Sequence, residues 1–175
     1  MPVALRKRVK DKLKHLVKEN IISAADNPKS WVSNLVIIER PDGSLRLCLD
    51  PIELNKVIQR QHHLIPTLDE IMANLSGKTV FTVLDLKDGF YQVPLSKKSR
   101  DYCTFSTPFG CFQFNRLPFG LASALEIFQK INEKHFGDIN GVSIYFDNIL
   151  VSGKNKEDQD RILSEVMNRT AKCHI

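Results

Sequence analysis

Pairs of apolar segments joined by short turn sequences recur along this chain, and they constrain its fold more than any other feature. The apolar run 31–38 leads into the turn sequence Pro41-Asp42-Gly43-Ser44, after which apolar and polar residues alternate up to Asp50. A second pair lies in the aromatic-rich segment 101–117, where Pro108-Phe109-Gly110 supplies the turn. Both patterns predict β-hairpins, because Pro, Asp and Gly favour turns and alternation is typical of half-buried strands.

Two further apolar segments contain acidic residues. Residues 79–86 are rich in β-branched and apolar types and predict a buried strand that ends near Asp85. Residues 142–151 predict two short strands around Asp147-Asn148, a pair that suits a two-residue hairpin turn because Asn tolerates a positive φ. Strands joined by turns rather than by regular helical crossovers pair in antiparallel fashion, so the sequence predicts an α+β fold.

Helical spacing of apolar residues predicts four helices around these strands. In the second helix, Thr67 and Glu70 have the spacing of a capping box, and Gly77 follows the helix end. The expected buried face of this helix is Leu68, Ile71, Met72 and Leu75. The predicted helices cover residues 4–19, 67–75, 123 to about 135, and 161–175 after a polar loop at 153–160.

Positive charge is concentrated at the N-terminal end of the chain. The 175 residues carry a formal net charge of +5. Residues 1–18 contain seven Lys or Arg side chains and one acid, Asp11, so the remainder of the chain is close to neutral. The first helix is therefore either a solvated amphipathic helix packed on a domain or an arm that faces phosphates. Its apolar stripe favours packing and leaves the role of the cations open.

Composition excludes several classes of protein. With 42% apolar and 26% charged residues, the chain is typical of globular proteins and not of disordered ones. The longest nearly apolar run, 31–38, is too short to span a bilayer, and no charged segment precedes an apolar leader. We therefore expect an intracellular protein without a signal peptide or a membrane partner. The four cysteines show no spacing typical of a zinc site or a disulfide framework.

Asp85 and Asp147 are the residues that point to chemistry, because each lies at the end of a predicted strand. Acids at the edges of a shared sheet can converge, and two or three carboxylates can hold Mg²⁺ for phosphoryl transfer. A structural interpretation is also open, since Asp is common in turns after strands and Asp-Asn suits a hairpin turn. Spacing alone does not decide between the two.

Several ordered motifs surround these acids. They are Pro41-Asp42-Gly43-Ser44-Leu45-Arg46-Leu47-Cys48-Leu49-Asp50 with Leu54-Asn55, Val83-Leu84-Asp85-Leu86-Lys87-Asp88-Gly89-Phe90-Tyr91-Gln92-Val93, Thr107-Pro108-Phe109-Gly110, Leu117-Pro118-Phe119-Gly120-Leu121, Phe128-Gln129 and Tyr145-Phe146-Asp147-Asn148-Ile149-Leu150-Val151. Together they resemble the reverse transcriptases of gypsy-type LTR retrotransposons over roughly residues 15–175. One motif alone would be weak, whereas this order and spacing are specific.

The resemblance implies the fingers and palm of a right-hand polymerase, with an antiparallel palm sheet packed on helices. It implies a basic amphipathic helix at 1–20, fingers at 21–78 and a palm at 79–175 with a fingers insertion near 95–116. The chain would then end before the family's primer grip, thumb and RNase H. The implied partners are an RNA or DNA template with its primer, deoxynucleoside triphosphates and the rest of a polyprotein. The implied location is the cytoplasm or a retroelement particle.

The resemblance also implies a metal-dependent mechanism. Asp85 and Asp147 would bind two Mg²⁺ ions, with Mn²⁺ as an alternative, and Asn148 would occupy a degenerate third ligand position. One ion would activate the primer 3′-hydroxyl, and the other would bind the triphosphate and the leaving pyrophosphate. The backbone carbonyl of Leu86 would lie near the metal.

Further residues are assigned to substrate binding by the same resemblance. Arg46 would meet the incoming triphosphate, since a forked guanidinium suits phosphate oxygens. Phe90 would be the aromatic residue that clashes with a ribonucleotide 2′-hydroxyl, and Phe119 and Gly120 would line the nucleotide pocket and template path. The implied nucleotide-binding residues are Arg46, Leu86, Phe90, Phe119 and Gly120, and the implied nucleic-acid contacts are Arg40, Tyr145 and Phe146. Structural alternatives are an exposed strand charge for Arg46, a core ring for Phe90 and a turn glycine for Gly120.

Asn148 departs from the family pattern, which is Tyr-x-Asp-Asp at this position. An amide oxygen can ligate a cation but brings no charge, and Mg²⁺ favours charged oxygen. Two smaller departures follow. Pro51-Ile52 stand where the family usually has an aromatic-Arg pair, and Leu125-Glu126 stand at the family's Pro and the position after it. We therefore expect an impaired polymerase. The alternatives are a non-catalytic nucleic-acid- or protein-binding module derived from a retroelement, and a decayed copy without function.

Overall fold

The computed structural model describes residues 3–25, 31–60 and 63–173. The helices in these ranges are α1 (Arg6–Lys18), α2 (Ile52–Val57), α3 (Leu68–Asn74), α4 (Lys97–Tyr102), α5 (Ala124–Phe136) and α6 (Lys156–Cys173). The strands are β1 (Ile22–Ala24), β2 (Asn34–Glu39), β3 (Leu45–Asp50), β4 (Val80–Asp85), β5 (Thr104–Thr107), β6 (Gly110–Phe114), β7 (Val142–Tyr145) and β8 (Asn148–Gly153). The chain forms two compact units: unit 1 is Met1–Gln59 with Phe90–Ala124, and unit 2 is Arg60–Gly89 with Leu125–Ile175.

Unit 1 contains the two hairpins that the turn sequences predict. Strands β2 and β3 pair in antiparallel register with Ile38 opposite Arg46, and β5 and β6 pair around the turn that precedes Gly110. The predicted alternation in β3 is confirmed, because Leu45, Leu47 and Leu49 are buried. Strand β1 adds to the second hairpin in the order β1-β6-β5.

Helix α1 contributes its apolar stripe to the core of unit 1. Val9, Leu13 and Leu16 are buried there, together with residues of β3 and β6. Val17, which lies on the same predicted stripe, is instead 45% exposed. Arg8 on the polar side forms an ion pair with Glu39 at 2.8 Å. The structure thus confirms a packed amphipathic helix with solvent-facing cations.

Three short elements of unit 1 have no strong periodic signal, and the sequence did not predict them. Strand β1 has only three residues and is defined by its pairing with β6, where Ile22 lies opposite Phe114. Helix α2 follows Pro51 directly. Helix α4 is capped by the Ser96 hydroxyl, which accepts the Ser99 N–H at 3.2 Å. Elements this short depend on tertiary contacts more than on their own propensity.

Unit 2 is built on the antiparallel sheet β4-β8-β7. Ile144, Ile149 and Val151 on one face of this sheet form a core with residues of α6 such as Ile162 and Val166. Together with unit 1, this arrangement of helices and antiparallel strands confirms the predicted α+β class. In the part of the chain that the structure describes, no helix is long and apolar enough to span a membrane.

Two predictions of burial in unit 2 need correction. Strand β4 is not buried on both faces, because Phe81 and Val83 are 48% and 62% exposed on the face opposite the core. Helix α3 has the predicted capping box, but Leu68 and Met72 are 71% and 59% exposed and only Ile71 is buried. Apolar type indicated burial in both cases, but the packing of unit 2 covers only one side of each element.

The last helix begins earlier than expected. Helix α6 starts at Lys156, within the segment predicted to be a polar loop. The Asn155 side chain accepts the Asp158 N–H at 2.9 Å, and the Asp158 carboxylate accepts the Lys154 N–H at 3.0 Å. These two bonds satisfy backbone N–H groups at the helix start. The Lys154 N–H, together with the Arg161 guanidinium, holds the pKa of Asp158 below its usual value.

Candidate active site

The hairpin β7-β8 of unit 2, which carries Asp147 and is called the acidic hairpin below, has a different turn from the predicted one. Tyr145 pairs with Asn148, so the two turn residues are Phe146 and Asp147, and Asn148 is the first residue of β8. The residue with a positive φ is Phe146, at 57°, and not Asn148. A bulky residue in the left-handed region is strained, and such strain is found at functional sites.

The pairing of β4 with β8 brings the sequence-predicted acids to one end of the sheet. Asp85 lies directly opposite Asn148 in the antiparallel register. The Leu86 N–H then donates to the Asp147 carbonyl oxygen at 2.8 Å. Both carboxyl side chains are exposed to solvent. The backbone ladder therefore brings the segments that carry Asp85 and Asp147 together at one end of the sheet.

Tyr145, Asn148 and Asp85 form a row across the three strands. Residues directly opposite each other in antiparallel strands project on the same face of the sheet, so these three side chains share the face that lacks the core. The Asn148 amide donates weakly to the Asp147 carboxylate at 3.4 Å. Asn148 thus acts toward Asp147 as a hydrogen-bond donor and not as a second negative charge.

The backbone after Asp85 turns sharply because of two residues. Asp88 has a φ of 50°, and Gly89 is packed so tightly that a Cβ atom would lie 2.4 Å from the Phe128 ring. The Leu86 carbonyl accepts the Gly89 N–H at 3.0 Å, and the Leu86 side chain packs against the core of unit 2. Leu86 therefore anchors the turn, and its carbonyl oxygen retains one lone pair for a second partner.

The donor set fits a magnesium site of limited charge. Among the described residues, no group of three or more His, Cys, Asp or Glu side chains is arranged to hold a metal ion. This end of the β4-β8-β7 sheet offers two carboxylates, from Asp85 and Asp147, with the Asn148 amide beside them. Mg²⁺ is commonly held by one or two carboxylates together with substrate phosphates. The residues therefore fit such an ion, with less charge than three acids would supply.

Unit 1 brings together three of the predicted nucleotide-binding residues, Arg46, Phe90 and Phe119. The Phe119 ring stacks on Phe90 with centroids 4.8 Å apart, and Tyr91 meets Phe119 edge-on at 5.4 Å. The Arg46 guanidinium lies over the Phe119 ring, 4.6 Å from its centroid. Stacking on an aromatic ring restricts the guanidinium without using its N–H donors.

Gly120 has a structural role that only the tertiary structure reveals. Its φ is +108°, and a Cβ atom would lie 1.9 Å from the Leu49 carbonyl oxygen. The Asn55 amide bridges this loop, donating to the Gly120 carbonyl at 3.0 Å and accepting the Ala122 N–H at 2.9 Å. The loop 119–122 is therefore held directly against β3, which carries Arg46.

Arg46 and Arg40 share one face of the β2-β3 hairpin. Both guanidinium groups are close enough to Cys48 to oppose the effect of its burial, which raises the pKa of the Cys48 thiol. Within the described part of the chain, the buried Nε of Arg46 has no hydrogen-bond partner. An orphaned guanidinium donor fits an anionic ligand, since an unmet buried donor is costly. The structure places Arg40 at the turn of the β2-β3 hairpin, where its backbone N–H donates to the Ser44 carbonyl.

Helix α5 contributes residues whose role the sequence did not indicate. Its buried residues include Glu126, Gln129 and Asn132, spaced by three along the helix. Gln129 accepts the Phe146 N–H at 2.8 Å, and Asn132 donates to the Phe146 carbonyl at 3.2 Å. A polar stripe at helical spacing normally predicts a solvated face. The only available signal was the position of Gln129 within a motif.

Comparison with known proteins identifies the family of the chain. The family described as "Reverse transcriptase (RNA-dependent DNA polymerase)" matches residues 38–175. The chain belongs to the reverse transcriptase family. Its membership confirms the resemblance seen in the sequence, and the family is that of RNA-directed DNA polymerases.

Relatives of this reverse transcriptase domain are retroelement and viral polyproteins. The chain is 31% identical over 175 residues to the retrovirus-related Pol polyprotein from transposon gypsy of Drosophila melanogaster, covering 95% of this chain and 16% of the relative. It is 31% identical over 156 residues to the enzymatic polyprotein of cauliflower mosaic virus (strain Strasbourg), covering 87% of this chain and 23% of the relative. The chain thus spans less than a quarter of the length of these curated relatives.

Solved structures show the same fold. The foamy virus protease-reverse transcriptase in complex with double-stranded DNA matches with a TM-score of 0.89 at 21% identity, covering 98% of this chain and 30% of that one. The prototype foamy virus protease-reverse transcriptase matches with a TM-score of 0.88 at 21% identity, covering 99% of this chain and 23% of that one. The fold is therefore that of reverse transcriptase fingers and palm, as predicted.

Proposed function

We propose that this chain carries out template-directed DNA synthesis by two-metal nucleotidyl transfer, with an activity that Asn148 reduces. The observation that carries the proposal is the backbone pairing that sets Asp85 opposite Asn148 and ties Leu86 to Asp147. Bound divalent ions would supply charge stabilisation for the primer hydroxyl and the triphosphate. The chain itself supplies two carboxylates on a rigid sheet edge, and it lacks the third.

Unit 1 would supply substrate recognition in this proposal. Arg46 would bind triphosphate oxygens through donors that stacking on Phe119 leaves available. Phe90, which also stacks on the Phe119 ring, would exclude the 2′-hydroxyl of a ribonucleotide. Gly120 would line the nucleotide pocket, and Arg40, Tyr145 and Phe146 would contact nucleic acid.

Partners and domain boundaries are part of the same proposal. The structural relatives in complex with double-stranded DNA and with an RNA/DNA hybrid support a primed template as the partner, and deoxynucleoside triphosphates would be the substrates. We keep the assignment of a basic helix at 1–20, fingers at 21–78 and palm at 79–175. In its support, the proposed fingers insertion near 95–116 belongs to the same compact unit as residues 21–59.

Primer extension on a primed RNA template tests the catalytic proposal. With Mg²⁺ or Mn²⁺, we expect weak extension by the chain and an increase of at least about tenfold in Asn148→Asp, which corresponds to ~1.4 kcal/mol of barrier. Asp85→Asn should abolish extension in either background. Asn168→Asp, which adds the same charge on the exposed side of α6, is the matched control and should have no effect.

Two outcomes would contradict the proposal in different ways. Robust extension that Asn148→Asp leaves unchanged would show that the third carboxylate is dispensable. Absence of extension by both proteins, despite binding of the primed template, would remove the catalytic assignment.

The second candidate function is a non-catalytic nucleic-acid-binding module, and Asn148 together with the exposed cations of α1 favours it. Helix α1 presents six of its basic residues to solvent, namely Arg6, Lys7, Arg8, Lys10, Lys14 and Lys18. An arm that neutralises several phosphates predicts affinity that falls steeply with salt. Binding of an RNA–DNA duplex that is absent or insensitive to salt would count against both candidate functions.

A further inference from the structure

We propose that Gln129 of α5 is a positioning residue for the acidic hairpin: its side-chain amide holds Phe146 in the left-handed conformation and thereby fixes Asp147. The structural part of this proposal is independent of catalysis. Its consequence for metal binding rests on the function proposed above.

The hairpin needs such a restraint because of its turn. Phe146 has a φ of 57°, a conformation that disfavours side chains with a Cβ atom and especially bulky ones. Neither glycine nor asparagine, the residues that adopt it readily, stands at this position. The conformation therefore persists because surrounding contacts impose it.

The contacts of Gln129 meet this requirement. Gln129 is 0% exposed, and its Oε1 accepts the Phe146 N–H at 2.8 Å. Its Nε2 donates to the Ile144 carbonyl at 3.0 Å and to Glu133 Oε1 at 2.7 Å. The reverse amide orientation would set the NH₂ group against the Phe146 N–H, so the backbone dictates which way the amide points.

A second side chain of α5 binds the backbone carbonyl of Phe146. Asn132 is also 0% exposed, and its Nδ2 donates to the Phe146 carbonyl at 3.2 Å. Both backbone polar groups of Phe146 are thus tied to one helix. Asp147, the next residue, is tied on its other side because its carbonyl accepts the Leu86 N–H. The turn residue that bears the carboxylate is held between α5 and the end of β4.

Side chains of α5 also contact Arg60 and His63 of unit 2. Glu133 accepts from Gln129 with one oxygen and contacts His63 Nε2 at 2.6 Å with the other. Arg60 Nε donates to Glu126 Oε1 at 3.1 Å one turn earlier on α5. Glu133 is held on both of its oxygens, which restricts the Gln129 amide that it accepts from. Gln129 itself touches the hairpin backbone at two points.

Amide hydrogen exchange in Gln129→Met directly tests the hydrogen bond between Gln129 and the Phe146 N–H. Methionine keeps the volume but offers only a weak thioether acceptor in place of the amide oxygen that accepts the Phe146 N–H. We expect exchange of the Phe146 amide to accelerate roughly fivefold to tenfold beyond any change in global stability, the loss expected for one buried hydrogen bond. The matched control is Gln159→Met: Gln159 is equally a buried glutamine of unit 2, but it donates to Thr82 and not to the hairpin turn. It should leave the Phe146 amide unchanged.

A double-mutant cycle with Phe146→Gly separates positioning from a general packing role. Glycine adopts a positive φ without help, so Gln129→Met should destabilise the Phe146→Gly protein less than it destabilises the unchanged chain. Equal destabilisation in both backgrounds, or an unchanged Phe146 amide in Gln129→Met, would overturn the proposal.

Binding of Mn²⁺ alone, followed by electron paramagnetic resonance, reports the consequence for the carboxylates. We expect Gln129→Met to weaken Mn²⁺ binding by roughly fivefold, again the loss of one hydrogen bond, and Gln159→Met to leave it unchanged. If the unchanged chain binds no Mn²⁺, the proposed metal-dependent function fails while the exchange experiment still decides the role of Gln129. If Mn²⁺ binds equally well to Gln129→Met, the positioning role is wrong and the proposed function stands.

Discussion

Asp85 and Asn148 lie directly opposite each other on adjacent antiparallel strands, at the end of the sheet where the acidic turn begins. Asp147 is the neighbouring turn residue, and its carboxylate accepts a hydrogen bond from the Asn148 amide at 3.4 Å. The substitution that removes one acid from the family pattern therefore also removes a like-charge contact between two strands.

The charge at position 148 should accordingly affect stability as well as catalysis. In Asn148→Asp, like charges face each other across the strands, and we expect a loss of roughly 0.5–1 kcal/mol in the free energy of unfolding at neutral pH without divalent ions. Millimolar Mg²⁺ or Mn²⁺ should restore it, because ions bind only the folded arrangement. Chemical denaturation with and without the ions measures this. Asn168→Asp should show neither effect, and a loss that the ions do not reverse would contradict the metal assignment.

Gly120 should tolerate no side chain. A Cβ atom would meet the Leu49 carbonyl oxygen, and the φ of +108° adds strain, so Gly120→Ala should cost at least about 2 kcal/mol. Gly43→Ala is the control for the φ alone, because Gly43 has a φ of +78° and open space where its Cβ atom would lie. It should cost only about 1 kcal/mol. Equal costs in thermal unfolding would show that the contact with β3 is unimportant.

Phe90 should control the choice of sugar if the proposed function is correct. In the Asn148→Asp background, Phe90→Val should lower the preference for deoxyribonucleotides over ribonucleotides by at least about tenfold, since a smaller side chain removes the clash with the 2′-hydroxyl. The ratio of kcat/KM for the two nucleotide types measures this preference. Phe81→Val, a change of the same size at a half-exposed ring of β4, should leave the ratio unaltered.

Cysteine reactivity should separate a buried thiol from an exposed one. Burial raises the pKa of Cys103 to about 12, so this thiol stays protonated at pH 8. Cys111 is exposed on β6. We expect iodoacetamide to alkylate Cys111 in the folded protein and to reach Cys103 only on unfolding, as peptide mass spectrometry would show. Equal labelling of both residues under native conditions would contradict the packing of unit 1.

The capping box of α3 should contribute to acid sensitivity. The Thr67 backbone N–H and hydroxyl donate to Glu70, and these bonds lower the pKa of the Glu70 carboxyl in the folded state. Its stabilisation is therefore present above the unfolded-state pKa and is lost as the pH falls through the folded-state pKa. Glu70→Gln should reduce the loss of unfolding free energy on acidification from neutral pH. Asp69→Asn, in the same turn, should reduce it less; an equal reduction would argue against the capping contact.

Much of the fold could be predicted from local patterns. The turn sequence at 41–44, the alternation in β3 and the capping box at Thr67 and Glu70 each involve residues a few positions apart. Such signals are read from neighbours in the chain, and the structure confirms them. The end of β4 at Asp85 was predicted in the same way.

The candidate site was predictable only in part. Asp85 and Asp147 could be placed at the ends of predicted strands from local patterns and motifs. The turn at Phe146 and Asp147 was misplaced by one residue, because Asn148 has the better turn propensity and Phe146 one of the poorer. Contacts from Gln129 and Asn132 impose the observed turn, and no local pattern around residue 146 reports on a helix that lies earlier in the chain.

The sequence by itself determined the α+β class, the hairpins, most helices, the reverse transcriptase family and the missing third acid at Asn148. The tertiary structure decided which apolar residues are buried, leaving Met72 and Val83 exposed, why Gly120 must be glycine, and how Phe146 is held in a strained conformation. The physical reason is range. Propensity, capping and alternation act between near neighbours, whereas burial, close backbone approach and buried hydrogen bonds depend on segments that are distant in the chain.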